Sequence, residues 1–238
     1  LNLPKSSIYE RGSHLKNIYY VEKQGQTKPI LIIDGKEFDF ISLQKYIKER
    51  RKSEDYFFES FDYRYRLNIH KSIKMEHVKE LHQALINTET YVDIYAVIPK
   101  NADCDEKYYS NDFSIAWILP NPLSDLEVRY KKHKHVDLMY SSDSIGIKGV
   151  AHPIHNLNIT IKQAIKNKPN YVIKFHVDKE LPFENYLYLL NQCKKANDQI
   201  RNEYSLKKYA ISLENLDEDE HYEVRKIFPL NIWEETNW

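Results

Sequence analysis

The chain has 238 residues, of which 42% are hydrophobic and 29% are charged, a balance that is typical of globular proteins. Lysine plus arginine equals aspartate plus glutamate at 35 each, so no net charge draws the chain toward nucleic acid or an anionic membrane surface. Only 5 glycines occur, and no GxGxxG or GxxxxGKS/T motif is found, which argues against a glycine-rich phosphate-binding loop.

The chain has no run that approaches the ~20 apolar residues of a membrane-spanning helix, and no signal peptide is visible. The first residue is Leu1 rather than a methionine. We therefore expect a fragment from which an N-terminal membrane anchor has been removed.

The first half of the chain predicts a small mixed α/β unit. Two β-rich runs on either side of Gly25 indicate a hairpin. The pattern over residues 75–87 repeats apolar residues with helical spacing, as expected for one buried face. The predicted elements, in chain order, are strands at Asn17–Glu22 and Pro29–Ile33, a helix at Leu43–Arg51, a strand at Tyr65–Ile69, a helix at 75–87, a β-rich run at Tyr91–Ile98 and a polar connector at Pro99–Tyr109.

The second half predicts a similar series and then a tail. Asp217 and Glu220 resemble a capping box at the start of a tail helix, and Pro229 is expected to end that helix. We expect the tail to dock an apolar face and to cover an edge of the sheet. The predicted elements are strands at Phe113–Leu119, Val136–Tyr140 and Ile145–Ile147, a helix at Leu157–Lys166, a strand at Tyr171–Val177, a long helix from Phe183 that extends through Arg201–Tyr209, and an amphipathic helix marked by Leu216, Val224, Ile227 and Phe228.

Two pairs of segments are similar in sequence. Residues 67–76 and 175–184 share apolar, β-branched, lysine, aliphatic and large apolar positions that end in a glutamate, and a helical pattern follows each segment. Upstream, Gly35 and Gly149 are each followed by a leucine and an isoleucine at the same spacing. The matches keep their order, 114 residues apart upstream and 108 downstream. Self-similarity of this kind indicates a duplicated unit, with the extra residues of the first copy near Glu54–Asp62.

The fold class that follows is α+β, with two β-β-α-β-α-β units, each a small sheet with helices on one face, and a C-terminal helical extension. We expect the two units to pack with pseudo-twofold symmetry. The predicted bounds are 1–16 for an N-terminal post-membrane segment, 17–99 for the first unit, 100–112 for a connector, 113–210 for the second unit and 211–238 for the extension.

The second copy resembles the signature of the ExbD/TolR family. That signature is a β-strand, then Asp-Lys-x-aliphatic-Pro-aromatic, then a helix, and the matching residues here are Asp178, Lys179, Pro182 and Phe183. The resemblance is strongest over residues 142–200.

Two further segments carry the resemblance with less detail. Residues 17–98 match in part, and Leu1–Ser7 is similar to the short Leu-Pro motif that these proteins carry after their transmembrane helix. The chain departs from the family in having two units rather than one. It also has His70 where the first copy should carry the aspartate that corresponds to Asp178.

The resemblance implies the periplasmic domain of a single-pass inner-membrane protein, a subunit of a proton-driven motor. Such a subunit would transmit proton-motive-force energy to a TonB-like partner for outer-membrane transport. The implied partners are an ExbB/TolQ-like membrane subunit, through the missing transmembrane helix, and a TonB/TolA-like protein or peptidoglycan; a homodimer is a further expectation. Because the Leu-Pro segment of such proteins can add as a strand to the folded domain, Asn2, Leu3 and Pro4 are placed at a regulatory contact.

Two other functions stay open beside this one. His133, His135 and Asp137 alternate, so three ligands could lie on one face of a strand, with His152 and His155 nearby in sequence. That pattern would suit a metal-dependent soluble enzyme, although surface histidines explain it more simply. A non-motor envelope or cell-wall adaptor is the other alternative. We expect no catalytic residue, metal, cofactor or nucleic-acid partner.

Three remaining features have a structural and a functional interpretation. Asp178 and Glu184 could form an acid–base pair, but they also suit the start of a helix. The aromatic run over residues 56–65 could bind a partner or pack against a helix. Cys193 lies on the apolar stripe of a predicted helix, where a buried thiol is expected, and with Cys104 it forms no CxxC motif.

Overall fold

The computed structural model describes residues 5–6, 10–11, 16–54, 65–88, 92–96, 98–99, 113–118, 132–140, 144–147, 150–153, 157–166 and 171–236. The chain divides into two compact units. Unit 1 comprises Leu1–Leu123 with Lys179–Leu187, and unit 2 comprises Ser124–Asp178 with Tyr188–Trp238. The described residues are mixed α and β, which agrees with the predicted α+β class.

Unit 1 is built on a seven-stranded sheet. The elements of this unit are β1 (Lys5–Ser6), β2 (Glu10–Arg11), β3 (Lys16–Val21), β4 (Ile30–Ile33), β5 (Lys36–Phe38), α1 (Phe40–Glu54), β6 (Tyr65–Ile69), α2 (Met75–Ile86), β7 (Val92–Ala96), β8 (Ile98–Pro99) and β9 (Phe113–Ile118). The strands of the seven-stranded sheet lie in the order β2-β9-β7-β6-β3-β4-β5, and β1 pairs with β8 in a separate two-stranded sheet.

A tight turn connects β4 to β5. Asp34 and Gly35 both adopt positive φ, at 50° and 76°, and Ile33 pairs directly with Lys36 across them. Two central residues with positive φ form the hairpin turn that matches strand twist, and Asp-Gly is a preferred sequence for it. β5 then leads into α1, where the Asp39 carboxylate accepts the Ser42 N–H at 2.7 Å as an N-cap.

The core of unit 1 lies between this sheet and α1. Alternate residues of β3 and β4 are buried, which is the period-2 pattern of a strand with one covered face. Tyr20 packs edge-on against Phe40, and the Arg50 guanidinium lies over the Tyr65 ring, so α1 covers the face that bears these tyrosines. β6 differs from β3 and β4 because all five of its residues are buried, on both faces of the sheet.

Unit 2 is built on a five-stranded sheet. The elements are β10 (Lys134–Tyr140), β11 (Ser144–Ile147), β12 (Val150–Pro153), α3 (Leu157–Ile165), β13 (Tyr171–Val177), α4 (Phe183–Tyr209), a 3-10 turn (Leu213–Asn215), α5 (Glu218–Ile227) and β14 (Ile232–Thr236). The strands lie in the order β12-β11-β10-β13-β14. The helix α4 begins in unit 1 and continues in unit 2.

Five strands in each unit share one plan. In unit 1, β3 pairs antiparallel with β4 and parallel with β6, β4 pairs antiparallel with β5, and β6 pairs parallel with β7. In unit 2, β10 pairs antiparallel with β11 and parallel with β13, β11 pairs antiparallel with β12, and β13 pairs parallel with β14. The strand order and directions are therefore the same, with a helix after the third strand and another after the fourth.

The structure corrects the predicted units in three places. Each has three strands before its first helix, not two, because β5 and β12 extend the hairpins. The predicted strand at Phe113–Leu119 exists as β9, but it pairs with β7 in unit 1 instead of opening the second unit. A run of strand-forming residues does not reveal which neighbour it pairs with.

The tail is not purely helical. Its helix α5 has the predicted capping box, with the Asp217 carboxylate accepting the Glu220 N–H at 2.8 Å, and it ends before Pro229 as expected. After it comes β14, which pairs with β13 as β7 pairs with β6. The helical part is thus an insertion ahead of the last strand of the plan. The tail was expected to cover an edge of the sheet, and its strand β14 is itself an edge strand, next to β13.

Candidate functional site

Two turns with the same local structure carry the family-signature residues and their counterparts. Residues 71–76 follow β6 and residues 179–184 follow β13, and each forms a two-residue turn, a single bridge residue and the first residues of a helix. The bridge residues are Lys74 and Pro182, which pair with each other antiparallel. Both turns belong to unit 1.

The two turns exchange backbone hydrogen bonds in a symmetric pattern. The N–H of Met75 donates to the Leu181 carbonyl at 2.9 Å, and the N–H of Phe183 donates to the Ile73 carbonyl at 2.8 Å. The N–H of Glu76 donates to the Lys179 carbonyl and that of Glu184 to the Lys71 carbonyl, both at 3.0 Å. Each bond maps onto another when the two turns are interchanged, so they are related by a local two-fold axis.

One ion pair adds to this contact. The Lys74 ammonium lies 2.5 Å from the Glu180 carboxylate, and their hydrogen bond raises the pKa of Lys74. Both side chains are about half exposed, so the pair contributes little to stability beside the buried backbone bonds.

Of the four signature residues, Lys179, Pro182 and Phe183 lie in the second turn, with Phe183 fully buried, whereas the exposed Asp178 directly follows β13. Glu184 is also exposed, and its N–H donates to the Lys71 carbonyl. Because Glu184 lies in the first helical turn of α4, its interpretation as a helix-start residue is supported.

A second group of polar side chains lies on one face of the unit 2 sheet. His176 Nε2 lies 3.2 Å from Asp137 Oδ1, the Lys174 ammonium lies 4.6 Å from the centroid of the Trp233 ring, and the His135 ring meets Trp233 edge-on at 5.6 Å. α4 packs on the other face, where the Asn197 side chain contacts the Tyr171 hydroxyl. The sheet-face cluster, as we name these five residues, thus lies opposite α4.

The corresponding position of unit 1 holds a different pair. Because Ile18 pairs with Leu67 as Leu138 pairs with Phe175, the register matches Asn17 to Asp137 and Asn68 to His176. The Asn68 amide donates to Asn17 Oδ1 at 3.0 Å, and Asn68 is fully buried. Two neutral amides therefore occupy the place that a carboxylate and an imidazole occupy in unit 2.

The histidine-rich segment takes only part of its predicted arrangement. His135 and Asp137 lie on the same strand and share a face, but the nearest imidazole to Asp137 is that of His176, which the sequence pattern did not include. Among the residues that the structure describes, no group of three or more histidine, cysteine, aspartate or glutamate side chains is placed to hold a metal ion. His155 lies outside those residues.

Lys174, His176 and Trp233 were missed as neighbours by sequence reasoning. The alternation in Tyr171–Val177 places Lys174 and His176 on one face, so that part of the signal was present. Trp233 had no such signal, because it comes from the tail strand that was not predicted.

Several predicted positions fall outside the described residues. Asn2, Leu3 and Pro4 are among them, and so are Cys104 and the aromatic run except for Tyr65. Within the segment Leu1–Ser7, the described residues Lys5–Ser6 form the short strand β1, which pairs in parallel with β8. Cys193 is buried as expected, and burial raises the pKa of its thiol well above the ordinary value.

The chain finds no match among protein-family models, curated proteins or solved structures. Within its described residues, no helix has both the length and the apolar character needed to cross a membrane.

Proposed function

We propose that this chain is the periplasmic domain of an ExbD/TolR-like subunit of a proton-driven inner-membrane motor, with two copies of the domain in tandem. The observation that carries the proposal is the repetition of one sheet plan with the same turn after its fourth strand. In the second copy that turn has the sequence Asp178-Lys179-Glu-Leu-Pro182-Phe183, which resembles the signature of the family.

The proposed role is mechanical, with a TonB/TolA-like protein or peptidoglycan as the partner of the folded part. An extended peptide can add to a sheet at an edge strand. The edge strands are β2 and β5 in the seven-stranded sheet of unit 1 and β12 and β14 in the five-stranded sheet of unit 2. The short pairing of β1 with β8 is in keeping with an N-terminal segment that adds as a strand.

The test uses the full-length protein purified from membranes. We expect it to carry one transmembrane helix with an intramembrane aspartate and to copurify with an ExbB/TolQ-like subunit. Deleting the gene should abolish energy-dependent outer-membrane uptake, and the intact gene should restore it. A soluble protein that holds a stoichiometric transition metal would overturn the proposal in favour of a metal-dependent enzyme. A membrane protein without such a subunit would favour the adaptor.

A matched pair of variants addresses the signature itself. Asp178→Asn alters the exposed signature aspartate, and His70→Asn alters the equivalent position of the first copy, which departs from the family. We expect Asp178→Asn to impair uptake and His70→Asn to leave it unchanged. Equal behaviour of the two variants would remove Asp178 from the proposed role.

A further inference from the structure

The residues that precede helices α2 and α4 do not cap these helices with their own side chains. The residue before α2 is Lys74, whose side chain makes no capping hydrogen bond, and the residue before α4 is Pro182, whose side chain has no acceptor. The first N–H groups of a helix have no partner within the helix, so they need acceptors from elsewhere. α1 and α5 use the carboxylates of Asp39 and Asp217 for this purpose.

For α2 and α4 the acceptors are carbonyls of the opposite turn. Leu181 and Lys179 accept from the first two residues of α2, and Ile73 and Lys71 accept from the first two residues of α4. Ile73, Met75, Leu181 and Phe183 are all buried. A buried N–H that loses its acceptor costs free energy, so neither helix start is satisfied when the two turns part.

We infer that residues 71–76 and 179–184 form a reciprocal latch, a two-state element in which each turn caps the other helix and both caps open together. The latch is independent of the proposed motor function, because it follows from the hydrogen bonds alone. It makes the start of α4 a required part of unit 1, although that segment comes from the second copy in sequence.

Amide hydrogen exchange of the intact chain, followed by NMR over a series of urea concentrations, tests this inference. The amides of Met75, Glu76, Phe183 and Glu184 should have protection factors within about threefold of one another and the same urea dependence, because one opening exposes all four. The Glu220 amide, held by its own cap in α5, serves as the independent comparison. Four amides that open with separate urea dependences would overturn the latch.

A substitution in one turn should be detected in the other. Glu76→Pro removes the N–H that donates to Lys179, and we expect exchange at Phe183 and Glu184 to accelerate at least about tenfold. The amides of β6 should keep their protection, which separates opening of the latch from unfolding. Exchange at Phe183 and Glu184 that stays within about twofold of the unmodified chain would contradict reciprocity.

Two variants control for the proline itself. Glu76→Gln keeps the N–H, so exchange at Phe183 and Glu184 should not change. Asp219→Pro places a proline at the same second position of α5, where the cap is a side chain. It should leave all four latch amides unaffected, because proline is tolerated in the first turn of a helix. An effect of either control as large as that of Glu76→Pro would remove the support for the latch.

Discussion

The strands β6 and β13 occupy the same place in two sheets of the same plan, but their surroundings differ. Every residue of β6 is buried, whereas Lys174 and His176 of β13 are partly exposed on the face opposite α4. The buried site in unit 1 holds the neutral pair Asn17 and Asn68, whereas the partly exposed site in unit 2 holds the ionisable pair Asp137 and His176. Neutral amides can hydrogen-bond to each other without bringing a charge into a buried site, whereas ionisable groups need solvent or strong pairing. The fold fixes the position, and burial decides which chemistry it can hold.

The largest expected effect comes from placing a charge at both positions. Asn68→Lys should lower the free energy of unfolding by about 3–5 kcal/mol, because an ammonium at this buried site has no carboxylate in the amide pair. His176→Lys should change it by less than about 1 kcal/mol, because the side chain is 24% exposed and Asp137 offers a counter-charge. Urea unfolding of both variants measures the contrast. Similar losses would show that the two faces do not differ in the way described.

The second difference between the units is the helical insertion ahead of β14, which has no counterpart ahead of β7. Val224 is the buried residue of α5, and Arg201 Nε donates to the Phe228 carbonyl at 2.9 Å where α5 ends. Val224→Ala should destabilise unit 2 by about 2 kcal/mol through lost burial and a cavity. The neighbouring Tyr222→Ala is the control, because Tyr222 is 70% exposed and should have little effect. Equal losses in thermal unfolding would mean that α5 does not dock through Val224.

Many of the strands and helices could be predicted from the sequence, because their signals are local. The structure confirms a strand or helix in four segments with clear periodicity, residues 65–69, 75–86, 157–165 and 171–177. The turn at Asp34-Gly35 could also be predicted, since an Asp-Gly dipeptide favours a two-residue hairpin loop. Gly35 was used only as a marker of the repeat in the prediction from the sequence.

Other features depend on contacts between distant residues. β9 pairs with β7, and β14 with β13, through backbone bonds that any strand can make, so composition does not select the partner. The burial of both faces of β6 likewise has no local signal, because the polar residues Arg66 and Asn68 predict an exposed face when the sequence of the strand is considered alone. The sheet-face cluster could be predicted only in part for the same reason, since Trp233 lies on β14, a strand of the tail that pairs with β13.

Helix starts provide a smaller test of how the elements are held. Asp217→Ala removes the capping box of α5 and should cost about 1 kcal/mol. Lys74→Ala removes no cap, because backbone carbonyls hold the start of α2, and only its exposed ion pair with Glu180 is lost. Its cost should be clearly smaller than that of Asp217→Ala, because an exposed ion pair contributes little to stability. Chemical denaturation of the two variants gives the ranking, and a reversed order would contradict the assignment of caps.

The smallest expected effect concerns the ionic contact between α3 and α4 in unit 2. Lys162 and Lys166 both pair with Glu203, and hydrogen bonds from these ammonium groups hold the pKa of Glu203 below its ordinary value of 4.5. A carboxyl group whose pKa is lowered by folding stabilises the protein above the unfolded pKa, and this contribution is lost as the pH falls through the folded value. Because Glu203 is 44% exposed, Glu203→Gln should cost less than about 1 kcal/mol at pH 7. The difference from the unmodified chain should shrink as the pH falls from 4.5 and vanish below the folded pKa, as followed by urea unfolding across that range. A difference that persists in acid would mean that the carboxylate charge is not what joins the two helices.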